Sequence, residues 1–316
     1  MNELIKFPKV SIIILNWNGV DDTIECIESI NKIKYTNYEI VVVDNKSSGN
    51  DVAVLKEKYG DSIYLIANDR NLGFPGGVNI GIKDAQLRNA DYFLLLNNDV
   101  IVDADFVDEM VQLAESDETI GVMGSKIYYY DYPNIIQSAG GTINWWIGYI
   151  KLYGGGEEDK GQLDQTVERD YVWGTSLMIT SKVVEKIGYF DPHFFFGVEE
   201  YDYCTRAKRA GFKVMYVAKS RVWHKFGASR AKLPKFPETQ ALIKNERGFN
   251  NSKFYYHLYK TYCPPILFLF PLFVCTILRP ELIARFFRRV RNGEWGYLFN
   301  VLQQRIKKLF TGKRKP

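Results

Sequence analysis

Short apolar runs alternate with helix-length amphipathic segments through the first third of this chain, and each run ends in a cluster of Asn, Asp and Ser. Residues 10–15, 39–43, 63–67, 92–96 and 120–124 read as strands. Residues 21–33, 51–59, 79–88 and 105–116 read as helices, with Ile24, Ile27 and Ile30 on one face of the first. Strands apolar throughout are buried on both faces, as in a parallel sheet covered by helices. The pattern therefore predicts an α/β fold with a mostly parallel central sheet. After Ser125 the rhythm breaks. Residues 127–164, rich in Tyr, Trp and Gly, read as mobile loops and short strands, 171–180 as a strand, 181–187 and 199–210 as helices, and 213–217 as a last strand.

In an open parallel sheet, ligands bind beyond the carboxyl ends of the strands. The residues there are Asn16, Trp17, Asn18 and Gly19; then Asp44, Asn45, Lys46, Ser47 and Ser48; then the run from Asn68 through Arg70 to Gly73 and Phe74; then Asn97, Asn98 and Asp99. Any one cluster is explained by turn chemistry, since Asn and Asp start loops by bonding their own backbone. Four on one edge make a polar site. Asp44, an acceptor when ionised, suits a base N–H or a ribose hydroxyl. Asn97, Asn98 and Asp99 offer oxygen ligands for a hard cation, and a single carboxylate there fits Mg²⁺ held jointly by protein and a diphosphate, beside the plainer reading of a strand-ending Asx turn. The glycines between Gly73 and Gly81 form no Walker motif, because Ile82 follows Gly81, and they leave room for close backbone approach to a ligand.

A second acidic cluster, Glu199, Glu200 and Asp202, opens a helix directly after the apolar segment 194–198. Dipole matching alone accounts for acids at a helix start. The apolar flank adds a functional reading, since desolvation raises a carboxyl pKa toward that of a useful general base. His224 gains meaning as a ligand only if the fold brings it to Asp99.

The four cysteines form no C-x-x-C pair and read as free thiols. The N-terminal apolar run is too short for a signal-peptide core and ends in Asn-Trp-Asn, so the protein is expected in the cytosol. Net charge is +4, unevenly spread: residues 279–316 carry eleven Lys/Arg and two Glu of the chain's 41 bases and 37 acids, leaving an acidic body. Residues 262–278 are apolar but short for a span and hold Pro264, Pro265 and Pro271, while 284–308 mix Arg/Lys with Phe, Leu and Trp as an interfacial helix does. The expected organisation is a catalytic domain over 1–249 and an apolar and basic helical tail over 250–316. The expected location is peripheral or monotopic, on the cytoplasmic side of the membrane and held by anionic lipid.

Taken in order, Asn16-Trp17-Asn18-Gly19, Asp44-Asn45-Lys46-Ser47-Ser48, Asn71-Leu72-Gly73-Phe74, Asn79-x-Gly81, Asn97-Asn98-Asp99, Gly174-Thr175, Phe190-Asp191, Glu199-Glu200-x-Asp202 and His224 resemble glycosyltransferase family 2, closest to its rhamnosyltransferase-like branch. The resemblance covers residues 9–229. It implies a GT-A fold and an inverting transfer of a sugar from a nucleoside-diphosphate donor, with dTDP-rhamnose or a UDP-sugar as the candidates, to a hydroxyl of a lipid-linked or surface-glycan acceptor. It implies nucleotide binding by Asp44 with Asn16, Asn18, Asn45, Ser47, Arg70, Gly73, Phe74, Asn79, Asn97 and Asn98. Asp99 and His224 would hold Mg²⁺ or Mn²⁺, and Glu200, beside Glu199 and Asp202, would be the base. One position departs: the family's Asp-x-Asp reads Asn97-x-Asp99, which bears on the metal's affinity.

Three other readings are weaker. A polysaccharide synthase would carry several spans and a Gln-x-x-Arg-Trp motif, neither present. A non-catalytic sugar-nucleotide or membrane-binding module would not need Asp99 and Glu200. No nucleic-acid partner is expected, because the basic tail interleaves apolar rings and no nucleic-acid-binding motif occurs. Each basic residue near an anionic leaflet contributes roughly 1 kcal/mol. Truncation after Tyr259 is therefore expected to release the protein from membranes in a flotation assay while donor binding survives. A full-length protein that ignores anionic liposomes at low salt overturns the membrane assignment.

Overall fold

The computed structural model describes residues 7–146, 149–225, 257–258 and 260–263. The chain forms two compact units, one of Met1–Asn144 with Ile150–Leu258, the other of Trp145–Tyr149 with Tyr259–Pro316. In the second, the Trp145 and Tyr262 rings pack with centroids 5.0 Å apart. In the first, His257 packs on His193 and Phe194, and Leu258 is buried. The expected boundary at 249/250 lies outside the described residues, as does the expected tail apart from a few residues between 257 and 263. Among the described residues no helix is long and apolar enough to cross a membrane.

The first unit opens with β1 (Val10–Asn16), α1 (Val20–Ile30), β2 (Tyr38–Asp44), α2 (Asp51–Tyr59), β3 (Tyr64–Ala67), α3 (Gly73–Leu87) and β4 (Tyr92–Asn97). These strands pair in parallel in the order β3-β2-β1-β4. The register sets Asn16 beside Asp44, Leu15 beside Asn97, and Asp44 beside Ala67, so the polar strand ends fall in one row.

Beyond β4 the sheet turns mixed, not mostly parallel as the sequence predicts. There follow β5 (Val100–Val102), α4 (Phe106–Ser116), β6 (Ile120–Tyr129), β7 (Tyr132–Ser138), β8 (Gly141–Asn144), β9 (Tyr149–Leu152), β10 (Glu157–Glu158), β11 (Val167–Glu168), β12 (Ser176–Thr180), α5 (Ser181–Ile187), α6 (Glu199–Arg209) and β13 (Lys213–His224). β12 lies antiparallel between β4 and β6, and β13 runs parallel to β6 and antiparallel to β5. An apolar run carries no information about strand direction, which is why a buried antiparallel strand reads as a parallel one.

Much of the region 127–164, expected as loops and short strands, is sheet. β6 continues to Tyr129, and β7 and β10 extend it at one edge. Lys126, buried on β6, fastens this region through Asp159 at 3.0 Å and Asp164 at 2.6 Å. The predicted strand 171–180 shortens to its apolar end, and β13 outruns the expected Val217 to reach His224.

Alternation along the strands divides the core. Ile12, Ile14, Val42, Leu94 and Leu96 pack against α1, α2 and α4. Ile13, Val41, Val43, Phe93 and Leu95 pack against α3, α5 and α6. Helix α3 begins at Gly73, six residues before the expected Asn79; its Gly-Phe-Pro-Gly-Gly first turn has little intrinsic helix propensity, so the sequence pattern hides it. Its glycines serve packing: a Cβ on Gly81 would stand 2.5 Å from Ile13 Cγ2 and 3.2 Å from Val43 Cγ2. Gly81→Val is expected to destabilise the fold by about 2 kcal/mol or more through overpacking, outweighing the roughly 0.5 kcal/mol gained in helix propensity. Denaturant unfolding checks this, and an unchanged midpoint overturns it.

Candidate active site

Asn16 ends β1 with its side chain turned inward and fully buried. Its amide nitrogen donates to Asp44 Oδ2 at 2.8 Å, Asp51 Oδ2 at 3.0 Å and Ser47 Oγ at 3.2 Å. Its oxygen accepts from Thr23 Oγ1 at 2.7 Å. Asp44 accepts further from the Ser47 N–H at 3.0 Å and the Ser47 hydroxyl at 2.6 Å. One β1 amide thus orients the β2 carboxylate and the loop after it. Asn18, in the left-handed region at φ 53°, accepts through its side chain from the N–H and hydroxyl of Ser48.

Asn45 clamps the next loop. Its amide nitrogen donates to Asn71 Oδ1 and the Gly73 carbonyl, and its oxygen accepts from Asn68 Nδ2 and the Leu72 N–H. Arg70, on that loop, is exposed. Asn98 donates to the Gly19 carbonyl at 3.1 Å and Thr23 Oγ1 at 3.0 Å, so the loop after β4 is tied to the one after β1. Phe74 sits with its ring 3.6 Å from the Cβ position of Gly174.

The fold brings His224 to Asp99. The three-residue strand β5 follows Asp99 and pairs Val100 with His224. Asp99 Oδ1 lies 3.1 Å from His224 Nε2, and both residues are buried. Asn97 Nδ2 stands 3.4 Å from the same nitrogen. On its other side, His224 Nδ1 donates to Gln137 Oε1 at 2.8 Å, which leaves Nε2 to face Asp99. Gln137, on β7, is buried with its Nε2 unpartnered. Nothing in the sequence singles Gln137 out, since it falls in the segment that reads as loop.

The third cluster stands at the start of α6. Glu199 is buried with Oε2 unpartnered, and Glu200 is half-buried. Burial pushes the Glu200 carboxyl up to about 7, and burial together with the charge of Glu200 raises Glu199 well above the usual carboxylate range. Asp202 faces elsewhere: Arg206 Nε donates to it at 2.9 Å while the same guanidinium holds the Ile187 and Tyr189 carbonyls. Asn79 is similarly engaged, donating to the Phe190 carbonyl at 2.8 Å and accepting the Phe190 N–H at 3.0 Å. Both side chains therefore position backbone before α6.

A twisted sheet faced by helices, with amides and carboxylates at one row of strand ends, a buried carboxylate–imidazole pair and a desolvated acidic helix start, is a GT-A-like α/β fold. GalNAc-T7, solved with UDP, GalNAc and Mn²⁺, matches 69% of this chain and 44% of its own at a TM-score of 0.57 and 20% identity. Residues 1–349 of S. aureus TarS match 68% and 60% at a TM-score of 0.51 and 15% identity. Residues 11–187 match the model of glycosyl transferase family 2, and the chain belongs to that family. The low-salt glycan biosynthesis hexosyltransferase Agl10 of Haloferax volcanii is 28% identical over 65% of this chain and 63% of its own length. The amylovoran biosynthesis glycosyltransferase AmsB of Erwinia amylovora is 25% identical over 66% of each. The O-antigen biosynthesis protein RfbC of Myxococcus xanthus is 26% identical over 71% of this chain but 18% of its own. The chain thus spans less than two thirds of the length of these relatives.

The raised carboxyls carry a sign. A carboxyl whose folded pKa exceeds its unfolded value costs stability as pH rises from about 4.5 to about 7, because the folded state then binds more protons than the unfolded one. Glu200→Gln is expected to be more stable than the wild type by about 2 kcal/mol at pH 8, with no difference below pH 4. Unfolding free energies across that range check it, and equal curves at pH 8 overturn it.

Proposed function

We propose that the protein is a metal-dependent, inverting glycosyltransferase that moves a sugar from a nucleoside-diphosphate donor to a hydroxyl of a lipid-linked or surface-glycan acceptor. The observation that carries this reading is the Asp99–His224 pair standing on the same sheet edge as Asp44, with a desolvated carboxylate cluster on a separate element. In this reading Asp44 receives the nucleoside, held in place by Asn16 and Ser47. The pair fits a divalent cation. Ligands on adjacent corners of an octahedron with bonds of roughly 2.1 Å are roughly 3 Å apart, close to the 3.1 Å between Asp99 Oδ1 and His224 Nε2. The Gln137 hydrogen bond to Nδ1 is the outer-shell contact that aims such an imidazole. Among the described residues no group of three or more His, Cys, Asp or Glu is poised around a metal, consistent with an ion shared with substrate phosphates. Mg²⁺ or Mn²⁺ bound there would stabilise the charge of the departing diphosphate.

Glu200 takes the proton from the acceptor hydroxyl as its oxygen bonds to the anomeric carbon and the bond to the diphosphate breaks. Burial suits it to that role, because a base titrating near 7 is about half ionised at neutral pH yet retains proton affinity. The named functions of the curated relatives support a glycan-building role. A dTDP-rhamnose or UDP-sugar donor, a cytoplasmic-face location and an anionic membrane surface as partner complete the proposal on the sequence grounds given above.

The test is release of nucleoside diphosphate from a panel of nucleotide sugars, with Mg²⁺, Mn²⁺ or chelator. Asp99→Ala is expected to abolish release, and Glu200→Gln to lower transfer on the order of 10²–10⁴-fold while donor binding is retained. Wild-type kcat/KM rises with pH through about 7 as Glu200 ionises. Full activity in chelator sinks the metal assignment. A dead Glu199→Gln beside an active Glu200→Gln moves the base by one residue.

A further inference from the structure

Gly73 follows a clamp and precedes a helix, the usual place for a glycine that admits a phosphate. Its open side is instead filled by protein. A Cβ on Gly73 would lie 2.3 Å from the Phe195 carbonyl oxygen and 2.7 Å from the Phe195 ring, and Gly73 itself sits at φ +72°. The next residue, Phe74, donates its backbone N–H to that same carbonyl at 2.8 Å. A helix-start N–H open to an anion is thus occupied by the loop that carries the candidate base.

The same helix holds this loop at its far end through the paired Asn79–Phe190 hydrogen bonds. Between Phe195 and Glu199 the chain makes two successive left-handed residues, Gly197 at φ 79° and Val198 at φ 74°. A β-branched residue in that region is strained and persists only where its surroundings impose it. Val198 is buried, its carbonyl accepts from the Tyr201 and Asp202 N–H groups of α6, and the chain three residues earlier is held by α3. On the other side, α3's entry is gripped by Asn45, whose own N–H donates to the Asn16 carbonyl at 2.7 Å, next to Asp44. An unbroken hydrogen-bonded path therefore runs from the Asp44 pocket through Asn45 and Gly73 to Phe195, and ends at the strained turn before Glu200.

We propose that the first turn of α3 is a positioning device, in which Gly73 and the Phe195 carbonyl make the placement of Glu199 and Glu200 depend on occupancy of the Asp44 nucleotide pocket. The proposal rests on the donor-pocket reading given above and adds a role for residues that need not touch the substrate. Donor binding tightens the loop after β2, Asn45 passes that to Leu72 and Gly73, and the Phe195 contact fixes the chain three residues before Val198 and the start of α6. The acceptor then meets a placed base only when donor is present, which disfavours futile attack by water.

Amide hydrogen exchange on the full-length protein, with saturating UDP or dTDP as probe, tests this. One nucleotide is expected to slow exchange at 16–19 and 44–48 and also at 194–201. In Gly73→Ala the first effect survives and the second is lost, while kcat for transfer falls on the order of 10²-fold with donor KM changed by less than about threefold. Asn79→Ala, which frees the other end of the loop, is expected to give the same kcat-selective loss, and decides the matter together with the wild-type exchange should Gly73→Ala misfold. Protection of the pocket with none at 194–201 in the wild type overturns the coupling and leaves the proposed function intact, as does a donor KM that worsens as much as kcat falls. If neither nucleotide protects any segment, the nucleotide-pocket reading fails and the coupling falls with it.

Discussion

The buried amide of Asn16 is the interaction on which the rest of the site depends. It stands where an apolar strand ends and polar chemistry begins, and a side chain buried there must find all its partners within the protein. It meets that demand through Asp44, Ser47, Asp51 and Thr23, drawn from β2, the loop after it, α2 and α1. Satisfying one amide therefore fixes four elements, and the carboxylate of Asp44 is held in one orientation before any ligand arrives. Presetting that one carboxylate lowers the cost of binding.

The candidate site is assembled from distant stretches of sequence by strand register. Asp99 and His224 are separated by most of the second half of the described fold, yet a three-residue strand lays them side by side. The carboxylate cluster is brought in differently, through helix contacts instead of sheet pairing: α3 reaches Phe190 and Phe195, and the Asp202–Arg206 pair reaches the carbonyls at the end of α5. Sheet pairing carries the proposed metal and nucleotide groups, and helix-to-loop contacts carry the proposed base.

The parts legible in the sequence were those with a period. β1, β2 and β4 showed as apolar runs and α1 and α4 as amphipathic faces, and the strand-end rule then pointed to Asn16, Asp44 and Asp99. β5, β7 and β10 were not legible, because two- to seven-residue strands of mixed polarity have no period to detect. Direction was not legible either, so β12 came as a correction. Among site residues, the type of side chain was readable and its aim was not. Asn16, Asn79 and Asp202 are polar residues at the right places whose groups turn toward the protein, and Gln137, which aims His224, is one unremarkable amide among many.

Strand β13 shows where this chain tolerates a change of length. Its pairing with β6 slips between Val217 and Arg221, so the residues between them make a bulge that absorbs extra chain. Below that bulge the register continues unbroken to His224. Because side chains alternate faces along a strand, one residue inserted or deleted between Arg221 and His224 turns the imidazole away from Asp99, whereas the same change at 218–220 meets a kink already present. The four positions from Arg221 to His224 are therefore the stretch of strand whose spacing the Asp99 contact requires.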